Sequence, residues 1–141
     1  MPKQTTLDGT PIPPPPRLYR DPNEPFFRAL RTVAYRVLVR WWREYGAGIL
    51  RDTLINLTYA ELKNMQLNGN WKYPMPKRET LRKRVNELLE KHVVGDPPLA
   101  FAVPIKLQSH TTTIYFPHPE NMPEPDRSEI YKQIREWRRG E

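Results

Sequence analysis

An amphipathic stretch at residues 24–45 constrains the fold more than any other part of this sequence. Asp21 can cap a helix that begins there, and proline follows in the first turn. Apolar residues recur along the stretch at helical spacing and form one broad face. This face comprises Phe26, Leu30, Val33, Ala34, Val37, Leu38, Trp41 and Tyr45. Gly46 ends the stretch, which therefore predicts a long helix that buries one side.

The opposite side of this predicted helix is rich in arginine. At 100° per residue, four arginines fall on the solvent side: Arg28, Arg36, Arg40 and Arg43. Only Glu24 and Glu44, at the two ends, bring opposite charge to the same helix. Guanidinium groups bind phosphates bidentately and stay charged, so the stripe favours a phosphate-contacting surface. A solvated amphipathic helix and a helix lying on a membrane surface are the alternatives.

Three more helices are expected in the middle of the chain. Residues 49–56 form a short one, and Thr58 and Glu61 make a capping box that opens another at 58–67. The last, at residues 77–93, carries an apolar stripe for the core. Its members are Leu81, Val85, Leu88, Leu89 and Val93.

The C-terminal third is expected to form a hairpin and a final helix. Residues 99–107 and 111–116 have strand character, with a turn near Ser109. Pro104 places the first strand at a sheet edge or at a bulge, because proline cannot donate to a central ladder. Ser128 caps the final helix. Its one-sided apolar residues are Ile130, Ile134 and Trp137.

Prolines set the predicted domain plan. Residues 1–25 form an extended arm, because the run at 11–16 is of polyproline II character and builds no core by itself. The predicted segments are the Pro-rich arm (1–25), a helical DNA-binding core (26–95), the hairpin and a Pro-rich linker (96–127) and a C-terminal helix (128–141). The predicted fold class is mainly α: a helical bundle with an extended Pro-rich N-terminal arm and a small β-hairpin near 99–116.

The net charge points to a polyanionic partner. The chain holds 23 Lys and Arg against 16 Asp and Glu, for a net charge of +7. The positive excess lies in residues 1–95, which favours nucleic acid as the partner. No apolar run reaches the ~20 residues of a membrane span, and the N-terminus has no secretory signal. We therefore expect a virion or cytoplasmic location, not secretion.

Catalytic and cofactor chemistry is not expected. Cysteine is absent, which excludes thiolate metal sites and thiol nucleophiles. His92, His110 and His118 are too scattered to form a metal-binding motif. Gly-rich phosphate loops and a Gly-x-Ser-x-Gly turn are also missing from the sequence. The sequence therefore predicts a protein that is not an enzyme and uses no cofactor, metal or small-molecule substrate.

A second basic region follows the capping box and precedes the hairpin. Its polar and charged residues are Lys77, Arg78, Thr80, Arg82 and Lys83. This succession of helix, basic helix and hairpin resembles the winged helix-turn-helix DNA-binding proteins. The resemblance implies that the basic helix is the recognition helix, which enters the major groove, and that the hairpin near Ser109 is the wing. It implies a regulator of transcription that binds specific DNA and is dimeric through the first helix.

The extended arm and the basic, aromatic-rich helices of residues 11–95 support a different resemblance. They resemble the major capsid proteins of filamentous double-stranded DNA viruses of hyperthermophilic archaea, the rudivirus, lipothrixvirus and tristromavirus group. The resemblance implies a helical bundle whose arm and first helices wrap the genome. It also implies pairing with itself or a related capsid subunit in a helical filament. Arg17 and Arg20 then extend the arginine track along the arm.

Two functions therefore stay open. The first is a structural protein that coats double-stranded DNA as a nucleocapsid protein, and the second is a winged-helix regulator. The split of positive charge between the two basic regions favours the coat protein. The candidate nucleic-acid-binding residues are Arg17, Arg20, Arg28, Arg36, Arg40, Arg43, Lys77, Arg78, Arg82 and Lys83.

Overall fold

The computed structural model describes residues 25–89 and 98–139, except for the side chains of 86–88. These ranges form four α-helices and one small antiparallel sheet, which confirms the predicted mainly α class with a hairpin. The elements are α1 (Pro25–Tyr45), β1 (Ile49–Leu50), α2 (Arg51–Leu67), α3 (Arg78–Leu89), β2 (Ala100–Lys106), β3 (Thr111–Pro117) and α4 (Asp126–Arg138). The predicted arm before Pro25, and the predicted helix end at 90–93, lie outside the described residues.

Helix α1 buries a face that is rotated slightly from the predicted one. Its buried residues are Phe27, Leu30, Val33, Ala34, Val37, Leu38 and Trp42. Phe26 and Trp41 are half-buried, whereas Tyr45 is 58% exposed. The face shifts because the C-terminal half of α1 packs against the sheet, where the rings of Trp42 and Phe116 lie 6.4 Å apart.

Helix α2 is one continuous helix, so the predicted break before residue 58 is wrong. Thr58 lies in the middle of α2 at 3% exposure, and its hydroxyl makes no hydrogen bond within the described residues. The buried residues of α2 continue across the expected break: Leu54, Ile55, Thr58 and Leu62. Burial of an aliphatic side chain contributes about 1.5–3 kcal/mol, whereas a cap contributes about 1 kcal/mol. The continuous apolar face therefore decides the local structure.

An aromatic cluster anchors the long connection at residues 68–77 between α2 and α3. Trp71 is 7% exposed, and its ring lies 6.2 Å from Phe26 of α1 and 5.3 Å from Tyr73. Its indole N–H donates to the carbonyl of Pro74 at 3.4 Å. These contacts fix the connection, and with it the start of α3, to the first turn of α1.

Helix α3 completes a three-helix core with α1 and α2. Leu81, Val85 and Leu89 are buried in this core, as the apolar stripe predicts. The other two members of the predicted stripe, the side chain of Leu88 and the whole of Val93, lie outside the described residues.

The sheet has the strand order β1–β3–β2, with all neighbours antiparallel. Strand β2 lies at the edge, as Pro104 predicts. The N–H of Leu107 donates to His110 and that of His118 donates to Leu99, at 2.8 and 3.0 Å. Hydrogen-bonded and non-hydrogen-bonded residue pairs alternate along an antiparallel ladder. The backbone N–H and C=O groups of the odd-numbered residues of β2 therefore point towards β3. The backbone nitrogen of Pro104 therefore points away from β3, and its missing N–H removes no hydrogen bond between the strands.

The sheet separates two apolar clusters. Its inner face packs against α1, α2 and α3 through Ala100, Ala102 and Tyr115. Its outer face packs against Ile130 and Ile134 of α4. The residues on that outer face are Val103, Ile105, Ile114 and Phe116. Helix α4 therefore lies on the side of the sheet away from α2 and α3.

Helix α4 begins earlier than predicted, so Ser128 is not its cap. Pro125 holds the capping position, and the Ser128 hydroxyl donates instead to Glu124 Oε2 at 2.6 Å. The preceding segment, predicted as part of a linker, contains a short 3-10 turn at Pro119–Asn121. Met122 in this segment is buried against the outer-face cluster, so the segment packs on the domain.

Candidate nucleic-acid interface

Helix α3 presents the predicted basic residues on its surface. Arg78, Arg82 and Lys83 lie on α3, whereas Lys77 lies immediately before it, at the end of the connection, and all four are exposed. Arg78 and Arg82 lie about 40° apart around the helix axis, on the flank towards α2. Lys83 lies about 100° from Arg82 and points further outward, near Glu79. The predicted recognition helix thus carries basic side chains on two adjoining sides.

Aromatic and main-chain contacts attach this basic helix to α2. The Arg78 guanidinium lies 5.3 Å from the centre of the Tyr59 ring, and Lys63 Nζ lies 5.3 Å from the same ring. The Arg51 guanidinium donates to the Arg82 carbonyl at 2.5 Å. Cation–π contacts of this exposed kind contribute about 0.5–1 kcal/mol each. We name the set Tyr59, Lys63, Arg78 and Arg82 the α2–α3 basic surface.

Lys63 and Arg51 are missing from the residues selected by sequence. Lys63 follows Tyr59 by four positions on α2, a spacing that places both on one helix face. Both residues lie within the helix predicted at 58–67, so the sequence alone indicates that they share a face. The Arg51 contact with Arg82 joins residues far apart in the chain, so no local pattern indicates it.

The hairpin is polar on its inner face towards the tip. Lys106 and Thr111 pair across the strands there and are exposed. At the tip, Ser109 Oγ lies 3.0 Å from His110 Nδ1, and both residues are exposed. The outer face stays apolar and is covered by α4. The polar inner face therefore lies on the same side of the sheet as α3.

The arginines of α1 are exposed as predicted, but one of them has an acidic partner on another helix. Arg40 Nη2 lies 3.4 Å from Glu61 Oε2 of α2, with 53% and 22% of the side chains exposed. Such a partly exposed pair contributes at most about 1 kcal/mol. The stripe therefore also meets an acidic side chain of a neighbouring helix, at Arg40.

The α1 arginines do not meet the α3 basic residues. The Phe27 ring of α1 lies 5.8 Å from the guanidinium carbon of Arg84 of α3, which marks the side of α1 on which α3 packs. Arg36 lies about 180° around α1 from Phe27, and Arg43 about 160°. The stripe therefore points away from α3. Arg17 and Arg20, the predicted extension of the stripe, lie outside the described residues.

Two tyrosines have shifted acid–base properties. Burial raises the pKa of Tyr35 on α1, although the nearby Arg43 lowers it. A hydrogen bond to the Glu120 carboxylate raises the pKa of Tyr131 on α4. Both phenols are therefore neutral at neutral pH.

Within residues 25–89 and 98–139, no group of three or more acidic or histidine side chains is placed to hold a metal ion. In the same part of the chain, no helix is both long and apolar enough to cross a membrane. Comparison with family models, curated proteins and solved structures yields no match to this chain.

Proposed function

We propose that the protein binds double-stranded DNA in the manner of a winged helix-turn-helix protein. In this proposal α3 enters the major groove, α2 supports it, and the β2–β3 hairpin is the wing. The observation that carries the proposal is the α2–α3 basic surface, in which the Tyr59 ring of α2 contacts Arg78 and Arg51 of α2 donates to the main chain of Arg82. Recognition helices contact base edges through their N-terminal residues, and these arginines lie in the first half of α3.

The residues of α3 divide into two roles. Arg82 and Lys83 lie beyond the first turn and are exposed, so both can donate to guanine O6 and N7. Arg78 and Lys63 both contact the Tyr59 ring at the α2 flank, which suits contacts to phosphate. Phosphate contacts fix the register of a protein on the duplex, whereas base contacts specify the sequence.

The connection between α2 and α3 is longer than the three or four residues usual in a helix-turn-helix. Its length does not leave α3 unsupported, because Trp71 is buried against α1 and Arg51 bonds to the α3 main chain. Helices α1 and α2 and the connection thus hold the proposed recognition helix in place. A precise position is what base readout requires.

The replacement Arg82→Ala tests this function. A preferred sequence is first selected from a random duplex pool with the wild type, and affinity is then measured by fluorescence anisotropy. Arg82→Ala is expected to weaken binding to the preferred sequence by about 1–3 kcal/mol and to relax the preference. Lys72→Ala, which removes an exposed charge from the connection, is the matched control. Equal binding by wild type and Arg82→Ala would contradict the proposal.

A coat protein of the filamentous-virus type is the second candidate, located in the virion and assembled with itself or a related subunit. The exposed arginine stripe of α1 favours it. In this candidate Arg28, Arg36, Arg40 and Arg43 neutralise phosphates without reading bases. Each lost phosphate contact lowers the log–log salt slope by ~0.9, so Arg36→Ala/Arg40→Ala would lower it by about 2.

Nuclease protection of long random-sequence duplex DNA separates the two candidates. A coat protein protects the whole length and saturates at a fixed mass ratio. A winged-helix protein instead gives discrete footprints of one or two helical turns on particular sequences. Uniform protection would replace the winged-helix proposal by the coat proposal.

A further inference from the structure

Cationic side chains of α4 continue the arginine stripe of α1. A cleft of about 680 Å³ lies between the end of α1 and helix α4. Arg43 lines it from α1, and Lys132 and Arg135 line it from α4. On the α4 helix these two residues lie about 60° apart, on the side opposite the buried Ile130 and Ile134. The two helices therefore form one surface, the α1–α4 basic surface, made of Arg36, Arg43, Lys132 and Arg135.

Two acidic residues line this cleft beside its three cations, and each accepts a hydrogen bond from a neutral side chain. Asp126 Oδ1 accepts from the indole N–H of Trp42 at 3.2 Å. Glu129 Oε1 accepts from the side-chain amide of Gln133 at 3.1 Å. Gln133 also donates to the carbonyl of Gly46 at 2.7 Å. These bonds tie α4 to the end of α1, so the cations of the two helices keep a fixed relation.

The α1–α4 basic surface and the α2–α3 basic surface point in opposite directions. Arg36 lies about 180° around α1 from Phe27, which contacts α3. Helix α4 packs on the outer face of the sheet, whereas α3 belongs to the core on the inner face. The helical core and the sheet thus separate the two surfaces. A single straight duplex seated on one surface does not reach the other.

The arginine stripe of α1, to which Arg36 and Arg43 belong, has a length that suits a duplex. From Arg28 to Arg43 the α1 helix rises about 22 Å at 1.5 Å per residue. One turn of B-form DNA rises about 34–36 Å, so the stripe follows roughly two thirds of a turn. Arginine without base-reading partners suits contacts to phosphate, which are independent of sequence.

We infer that the α1–α4 basic surface binds a second DNA duplex, so that one protein molecule bridges two duplex segments. The inference rests on the proposed function for the first duplex, which α3 and the hairpin bind. The second duplex is held through its phosphates, without sequence preference. Bridging draws together distant segments of DNA. A protein that binds a single duplex through the α2–α3 basic surface does not have this property.

A two-duplex capture experiment tests the bridge. One duplex with the preferred sequence is fixed to beads, full-length protein is added, and retention of a fluorescent random-sequence duplex is measured. Wild type is expected to retain the second duplex. Arg43→Ala/Arg135→Ala should lower this retention at least tenfold, while its affinity for a single preferred duplex stays within twofold of wild type.

The control variant Lys72→Ala/Arg138→Ala removes the same charge from exposed residues outside both surfaces and should retain the second duplex like wild type. If the control variant lost as much retention of the second duplex, the inference would be overturned. The net charge of the protein, and not the α1–α4 basic surface, would then explain capture. Undiminished capture by Arg43→Ala/Arg135→Ala would also overturn it. If wild type binds one duplex but captures no second, only the bridge fails. If it binds no duplex, the proposed function itself fails.

Discussion

The two basic surfaces of this protein differ in how their side chains are held. On the α2–α3 basic surface, an aromatic ring holds Arg78 and Lys63, and a main-chain bond joins α2 to Arg82. On the α1–α4 basic surface, cations repeat along one straight helix and continue onto another. A held side chain loses less conformational entropy on binding, which favours specific contacts. A repeating row favours contacts to the regular phosphate backbone.

The largest effect expected from this comparison comes from removing the residue that joins α1 to α4. Trp42 is 3% exposed, packs against Phe116 and donates to Asp126. Trp42→Ala should lower the free energy of unfolding by about 3–5 kcal/mol, measured by urea denaturation. Trp41→Ala is the matched control and should have a smaller effect, because Trp41 is only half-buried. The reverse order would contradict the observed orientation of α1.

The next effect concerns DNA affinity. Arg82→Ala should weaken binding to a single preferred duplex by about 1–3 kcal/mol, measured by anisotropy. Arg36→Ala removes an equal charge from α1 and should leave this affinity within twofold. If Arg36→Ala proves the more damaging change, the α1–α4 basic surface and not α3 is the primary DNA contact.

A smaller effect tests whether α2 is continuous at the base of the α2–α3 basic surface. Thr58→Val replaces a buried hydroxyl that makes no hydrogen bond within the described residues. The change should raise the free energy of unfolding by about 1 kcal/mol, because the desolvation cost of that hydroxyl disappears. If Thr58 were a helix cap, the same change would lower stability by about 1 kcal/mol. Thermal and urea unfolding distinguish the two signs.

The smallest expected effect tests whether the Tyr59 ring, which contacts cations on the α2–α3 basic surface, contributes to DNA binding. Tyr59→Leu keeps an apolar side chain but removes the ring beside Lys63 and Arg78. Affinity for the preferred duplex should fall by about 0.5–1 kcal/mol, as lost cation–π contacts predict. Tyr45→Leu, an exposed tyrosine at the far end of α1, is the control and should leave affinity unchanged. A larger loss from Tyr45→Leu would place the aromatic contribution on α1.

Periodicity and proline chemistry predict most of the fold. The apolar spacing of α1 and α3 identifies both helices, and Pro104 identifies the edge strand, because these signals reflect the contacts that decide those elements. The break before residue 58 is wrong, since capping is a local signal and the buried face of α2 is a tertiary one. Trp41 and Trp42 lie at the border of the apolar face of α1, where a helical wheel does not show which of the two tryptophans is buried.

The candidate site is less accessible from sequence than the fold. The basic residues of α3 follow from composition and helix position. Their attachment to Tyr59 and Arg51 depends on how α2 packs beside α3, which no local pattern encodes. The cleft that joins Arg43 to Lys132 and Arg135 likewise arises from packing of the two ends of the chain.

Amide chemical-shift mapping of the full chain is the most direct test of the central claim. The labelled protein is titrated with a short duplex of the preferred sequence, at less than one duplex per protein. Winged-helix binding predicts that the first shifts to change belong to α3 and to the hairpin tip between Leu107 and His110. First changes confined to α1, with α3 and the hairpin unaffected, would contradict it.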